Sequence, residues 1–231
     1  MMRKIAVFVI AHPDDESMFF LPTICSLSNH ATKCWLLCLS NGNYDGLGKT
    51  REIELHRVGG YLGLDRVIII NHEELNDSPT RRWSKEVVAH VLEENLSDAD
   101  QVDIYTFDEG GVSGHINHVD TYLGVQYYLQ QLGRQEKKTT RAFQLTTVSG
   151  PIQKYLPLRH WIMLLLTLLG LMVRTAPTPS STYCCTLYTP WVNWKCMAGH
   201  TSQFVWYRRL FVAFSCYTYE NRWQPIPTTT S

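Results

Sequence analysis

Short apolar runs alternate with helix-length segments through residues 5–148, and this alternation constrains the fold more than any other feature of the chain. Residues 5–10, 34–39, 67–70, 102–107 and 143–148 read as buried strands, too continuously apolar to keep one face in water. Between them, residues 17–28, 50–62, 84–95 and 116–132 read as helices. Thr50 is placed to cap the second helix, with Glu52 and Glu54 in its first turn, and Ser84 to cap the third. Such a succession predicts an α/β domain, a mostly parallel sheet covered by helices on both faces. Ligands of these sheets bind outside the carboxyl ends of the strands. The 231 residues suffice for a single domain of this kind over the whole chain.

Composition narrows the function classes. Net charge is zero, so no broad basic field exists to hold nucleic acid. The seven cysteines (Cys25, Cys34, Cys38, Cys184, Cys185, Cys196 and Cys216) are odd in number, lack Cys-x-x-Cys spacing and lie partly in apolar runs. That set argues against a disulfide framework and for a reducing compartment. The apolar run at residues 5–10 is too short for a secretory signal and leads into charges.

Those charges are the stretch AHPDDE, residues 11–16, placed at the carboxyl end of the first strand. Three adjacent carboxylates repel one another and raise each other's pKa values unless something offsets the crowding. His12 and Asp15 are three residues apart and can face one ion. A second cluster, GGVSGHINH, follows the fourth strand at residues 110–118, with His115 and His118 again three apart. Zinc held by two histidines and a carboxylate, with an open fourth position, is a recurring catalytic arrangement. His12, Asp15 and one histidine of the second cluster supply that set, and Asp14 is left over as a base. A hydrogen-bonded loop network without metal is the competing reading. Neither a Gly-x-Ser-x-Gly nucleophile turn nor a phosphate-binding Gly-Lys loop occurs.

Beyond residue 150 the character changes. Residues 161–173 are apolar except for Thr167 and Gly170. As a helix they reach about 20 Å, short of the roughly 20 residues that span a bilayer. A core helix, an interfacial segment and a short span compete, and membrane contact over residues 159–174 is the favoured expectation. Residues 175–182, TAPTPSST, read as a linker. Residues 195–219 read as one basic, aromatic-rich helix carrying Trp206, Arg208, Arg209, Leu210 and Phe214, suited to a membrane surface or to the sheet. The tail TTTS is expected to be disordered.

Taken together, AHPDDE, SNGN at residues 40–43, REIEL at 51–55 and GVSGHINH at 111–118 resemble the PIG-L (LmbE-like) zinc deacetylase family. The stretch MAGHTSQ at 197–203, followed by WYRR, is similar to its eukaryotic branch. The resemblance covers roughly residues 4–150 and 193–219. It implies a Rossmann-like LmbE fold with membrane-associated C-terminal helices, and hydrolysis of the N-acetyl group of GlcNAc-phosphatidylinositol, the second step of GPI-anchor synthesis. It implies His12, Asp15 and His118 as zinc ligands, Asp14 as general base, and His115 as oxyanion stabiliser and proton donor. Arg51, Asp77 and His200 become substrate contacts. Asp14 ionised and His115 protonated imply a bell-shaped pH profile. The implied setting is the cytoplasmic face of the endoplasmic reticulum membrane. Relatives commonly carry an anchor ahead of the first strand; here that strand starts almost at the first residue, so either the chain is a shortened form or residues 161–173 and the last helix make the contact.

Alternatives stay open at this point. Iron or manganese suits the same ligands. A soluble GlcNAc conjugate or a chitooligosaccharide is the rival substrate, and a non-catalytic membrane scaffold the rival class.

Overall fold

The computed structural model describes residues 4–28, 33–97, 99–133, 139–158, 161–162, 165–166, 183–185 and 189–227. Strands β1 (Lys4–Ile10), β2 (Lys33–Cys38), β3 (Arg66–Ile69), β4 (Gln101–Phe107) and β5 (Thr139–Leu145) are joined in parallel. At one edge β7 (Glu220–Pro225) pairs antiparallel with β5, and β6 (Tyr183–Cys185) pairs antiparallel with β7, giving the order β3-β2-β1-β4-β5-β7-β6. The sheet is therefore mixed but mostly parallel, as the alternation predicts. Residues on both faces of β1 are buried, from Ile5 to Ile10, so both faces are covered.

Strand order reverses at β1. The chain runs outward from β1 through β2 to β3, then returns to place β4 on the other side, with Phe8 beside Tyr105. The carboxyl ends of β1 and β4 border the crevice at this switch point, where ligands bind in open α/β sheets. AHPDDE and GGVSGHINH follow these two strands, so motifs about a hundred residues apart become neighbours.

The helices follow the predicted order with informative differences. The first begins as a π-helical turn, Glu16–Phe20, and continues as α1 (Leu21–Ser28). Helix α2 (Gly48–Tyr61) starts before Thr50, which is not its cap; Leu47 occupies that position, and no acidic residue lies in the first turn. Asn43 fixes this early start by accepting the Gly48 N–H at 2.9 Å. Ser84 caps α3 (Lys85–Leu96) as expected, accepting the Val87 N–H. Helix α4 (Gly111–Gly114) and helix α5 (Ile116–Gly133) follow β4, and a short α6 (Pro151–Tyr155) follows β5. The fifth strand ends at Leu145 because Thr146, Thr147 and Val148 give their N–H groups to Arg222, Asp108 and Tyr217.

The single helix expected over residues 195–219 is two, α7 (Thr189–Gly199) and α8 (Trp206–Phe214). The break falls at His200–Ser202, whose side chains are bound to Glu16 and Glu54 instead of following a helical path. Of the apolar run 161–173, only Trp161, Ile162, Leu165 and Leu166 are described, and Ile162 and Leu165 are exposed. The linker 175–182 and the tail 228–231 lie outside the described residues. Among the described residues, no helix is long and apolar enough to cross a membrane.

Candidate active site

The crowding in AHPDDE is resolved residue by residue, because each carboxylate has its own basic partner. Asp15 Oδ2 accepts the backbone N–H groups of Ala11 and His12 at 3.1 and 2.8 Å. Its Oδ1 lies 3.2 Å from His118 Nε2, and His12 Nδ1 is 3.7 Å from Oδ2. Burial works against the Asp15 carboxylate, but His118 and His12 outweigh it and hold its pKa far below the ordinary range. Glu16 accepts from or shares a proton with His200 Nε2 at 2.7 Å; burial again opposes, and the imidazole again prevails, lowering the Glu16 pKa. Asp14 faces the guanidinium groups of Arg51, at 3.5 Å, and of Arg208. The mutual raising expected from the sequence is thus reversed for Asp15 and Glu16.

Histidine tautomers follow from the outer contacts. His118 Nδ1 lies 3.0 Å from the Gly111 carbonyl, which can only accept, so Nδ1 donates there and Nε2 faces Asp15. Gly111 has φ +55, and a Cβ there would press on His118 Cβ at 3.0 Å; glycine permits this close approach. His12 Nε2 is 3.2 Å from Asp77 Oδ1 and 3.3 Å from Asn117 Oδ1, leaving Nδ1 on the Asp15 side. Burial lowers the His12 pKa, yet the Asp77 hydrogen bond and the surrounding carboxylates leave it raised. His115 Nδ1 accepts the Asn117 N–H at 3.3 Å, so the proton of its neutral ring sits on Nε2. Burial, then His12 and His118, push the His115 pKa down to about 4. A protonated His115 at neutral pH is therefore not what its surroundings favour.

His12, Asp14, Asp15, His115 and His118 line one cavity of about 300 Å³ at the switch point, together with Tyr44, Asp45, Gln203 and Arg208. His12, His115 and His118 present ligand atoms within 4.8 Å of one another. Asp15 adds its carboxylate to two of them. Two imidazoles with outer nitrogens already engaged, plus a carboxylate, form a nitrogen and oxygen donor set that fits a divalent metal.

The other predicted contacts divide. Asp77 lines the cavity but holds His12 and Arg51. Arg51 also lines it, buried, and donates to the Gly42 and Pro13 carbonyls at 2.9 and 2.6 Å. Gly42, at φ +68, leaves room for that guanidinium, since a Cβ there would come within 2.4 Å of it. His200 is fully buried and does not line the cavity. Sequence reasoning missed Asn117, which binds Ser78 and Arg81 around His12, and the pairing of Asp14 with Arg208. Spacing of Asn117 inside HINH was the available signal; the Arg208 pairing, formed across 194 residues, left none.

Residues 7–129 match the family described as PIG-L, GlcNAc-PI de-N-acetylase. The N-acetylglucosaminyl-phosphatidylinositol de-N-acetylase of Bos taurus is 36% identical over 214 residues, 91% of this chain and 79% of that protein. Among solved structures, the N,N'-diacetylchitobiose deacetylase of Pyrococcus horikoshii superposes with a TM-score of 0.52 at 13% identity, over 98% of this chain and 84% of its own. A zinc-inhibited form of teicoplanin deacetylase gives a TM-score of 0.56 at 10% identity, over 95% and 97%. At such identities the likeness shows the fold alone.

Proposed function

The chain belongs to the PIG-L family, and from that premise we propose that it hydrolyses the N-acetyl group of GlcNAc-phosphatidylinositol to GlcN-phosphatidylinositol and acetate, within GPI-anchor biosynthesis. The observation that carries this reading is the convergence of His12, Asp15 and His118 in one cavity, with Asp14 beside them and outside that set. We assign these three residues as the ligands of a zinc ion. Zinc, when bound, supplies a Lewis acid for the amide carbonyl and acidifies a water molecule.

The protein groups do the rest. Asp14 takes the proton of the attacking water at a carboxylate oxygen. The same carboxyl then delivers that proton to the departing amine nitrogen, so the C–N bond breaks as acetate forms. His115 donates its Nε2–H to the carbonyl oxygen as negative charge develops there. It does so as a neutral imidazole, consistent with a pKa pushed to about 4. Asp77 and Asn117 keep His12 oriented, and Arg51 keeps the Pro13–Asp14 turn in place.

We further propose that the enzyme works at the cytoplasmic face of the endoplasmic reticulum membrane. Trp206, Leu210 and Phe214 of α8 are exposed, as are Trp191 and Trp194 of α7, and this apolar surface suits a lipid interface. Arg208 rises from the same helix into the cavity, where it can meet the phosphodiester of a membrane-seated substrate. Mass-spectrometric detection of GlcN-phosphatidylinositol from GlcNAc-phosphatidylinositol tests the reaction. Stoichiometric metal with no product under these conditions would remove the reading.

A further inference from the structure

His200 and Glu16 form a buried pair that the chemistry above does not use. Both side chains are fully inaccessible, and His200 Nε2 meets Glu16 Oε1 at 2.7 Å. The other oxygen of Glu16, Oε2, accepts the backbone N–H of Asp14 at 3.0 Å. Asp14 has φ +109, a backbone conformation that an aspartate adopts only when its surroundings impose it. A carboxylate locked onto the Asp14 amide supplies that imposition, and the His200 imidazole, together with the Ser17 hydroxyl on the same oxygen, locks the carboxylate.

The two residues after His200 grip a second element. Thr201 Oγ1 and Ser202 Oγ donate to Glu54 at 2.5 and 2.6 Å, and the Ser202 N–H donates at 2.8 Å. Glu54 lies one turn beyond Arg51 on α2, and Arg51 binds the Pro13 carbonyl and the Asp14 carboxylate. His200–Ser202 therefore clasps both elements that fix Asp14, one through its amide and one through its side chain.

Resting on the deacetylase reading, we propose that His200 is a positioning residue for the reaction, acting through Glu16 to hold the backbone of the base Asp14, and is not a substrate contact. Small displacements of a reacting group cost large factors in rate without weakening substrate binding.

The test compares His200→Met, which removes the imidazole and leaves the Ser17 hydroxyl as the side-chain donor to Glu16, with His200→Gln, which keeps a donor at position 200. Turnover of GlcNAc-phosphatidylinositol in micelles, metal content and hydrogen exchange at the Asp14 amide are measured for each. His200→Met is expected to lower kcat by roughly 10- to 100-fold, with KM within about twofold and metal content unchanged. His200→Gln is expected to recover most of that loss. Exchange at the Asp14 amide rises in the methionine variant only. Should a buried Glu16 without its imidazole partner prevent folding, Glu16→Gln with His200→Met is compared with Glu16→Gln alone, and the double variant is expected to be the slower. A raised KM at unchanged kcat, metal loss in step with kcat, or equal behaviour of the two substitutions would overturn the proposal. Amide exchange decides independently of turnover: an unchanged rate in His200→Met overturns it even if the wild type proves inactive, whereas wild-type inactivity by itself counts against the deacetylase reading.

Discussion

In the turn after β1, every carboxylate is buried and already paired; along the outer face of α8, Trp206, Leu210 and Phe214 lie open, while Phe211 and Val212 pack inward. Asp14, Asp15 and Glu16 are each at most 4% exposed, whereas Trp206 is 70% and Leu210 50% exposed. The first region spends its contacts on holding charges still. The second leaves its contacts unmade, as a surface that meets an apolar partner does. They meet at one ion pair, Asp14 with Arg208. The contrast separates two tasks that one reaction on a lipid requires, chemistry at fixed groups and recognition at an open surface.

The largest effect that tests this division is expected at Asp14. Asp14→Asn should lower kcat by roughly 10²- to 10⁴-fold on lipid and soluble substrates alike while leaving metal content intact. Retained turnover would take Asp14 out of the chemistry. At the junction, Arg208→Ala should raise KM for GlcNAc-phosphatidylinositol by about tenfold, the order of one charge-assisted contact, with little change for an analogue lacking the phosphate. An equal loss on both would tie Arg208 to Asp14 rather than to the phosphodiester. On the apolar face, Trp206→Ser with Leu210→Ser should reduce kcat/KM several-fold for vesicle-bound substrate alone, following the apolar area withdrawn from lipid. A matching loss on the soluble analogue would show that α8 belongs to the fixed region.

The smallest effect concerns the clasp between the regions. Burial raises the Glu54 pKa, but the Ser202 and Thr201 hydrogen bonds outweigh it and leave it lowered from 4.5. A depressed carboxylate adds stability above its unfolded pKa and loses it as pH falls through the folded value. Glu54→Gln should therefore cost about 1–2 kcal/mol near pH 7, and the gap from wild type should close as pH falls below 4.5. Thermal melts across that range read the difference, and a gap independent of pH would contradict the assignment.

The first region was largely legible in the sequence because its signals are local. Apolar runs located the first four parallel strands to within about a residue, while the fifth, expected at 143–148, runs from Thr139 to Leu145; the carboxyl ends of the strands located AHPDDE and HINH without any knowledge of side-chain contacts. What escaped was long-range. Glu16 stood in plain view inside AHPDDE, but its partner lies 184 residues away, and nothing in either stretch announces the pairing. His200 looked like a site residue because it sits in a family motif; it is fully buried and does not line the cavity, although Gln203 of the same motif does. The helix break at His200–Ser202 had one local signal, Gly199 at the end of α7, and the hydrogen bonds to Glu16 and Glu54 that hold the chain in the break are tertiary. Antiparallel β7 carries Asn221, Arg222 and Gln224 among few apolar residues, so it shows no strand pattern until β5 is there to pair with it.

The most direct test is acetate release from GlcNAc-phosphatidylinositol in detergent micelles, beside a short-chain soluble GlcNAc-inositol analogue, each with and without a chelator. Chelator-sensitive turnover of both, strongly favouring the lipid, is the predicted result. Turnover that survives the chelator, or acetate release that does not distinguish the lipid from the soluble analogue, would contradict a metal-dependent site served by a separate lipid-facing surface.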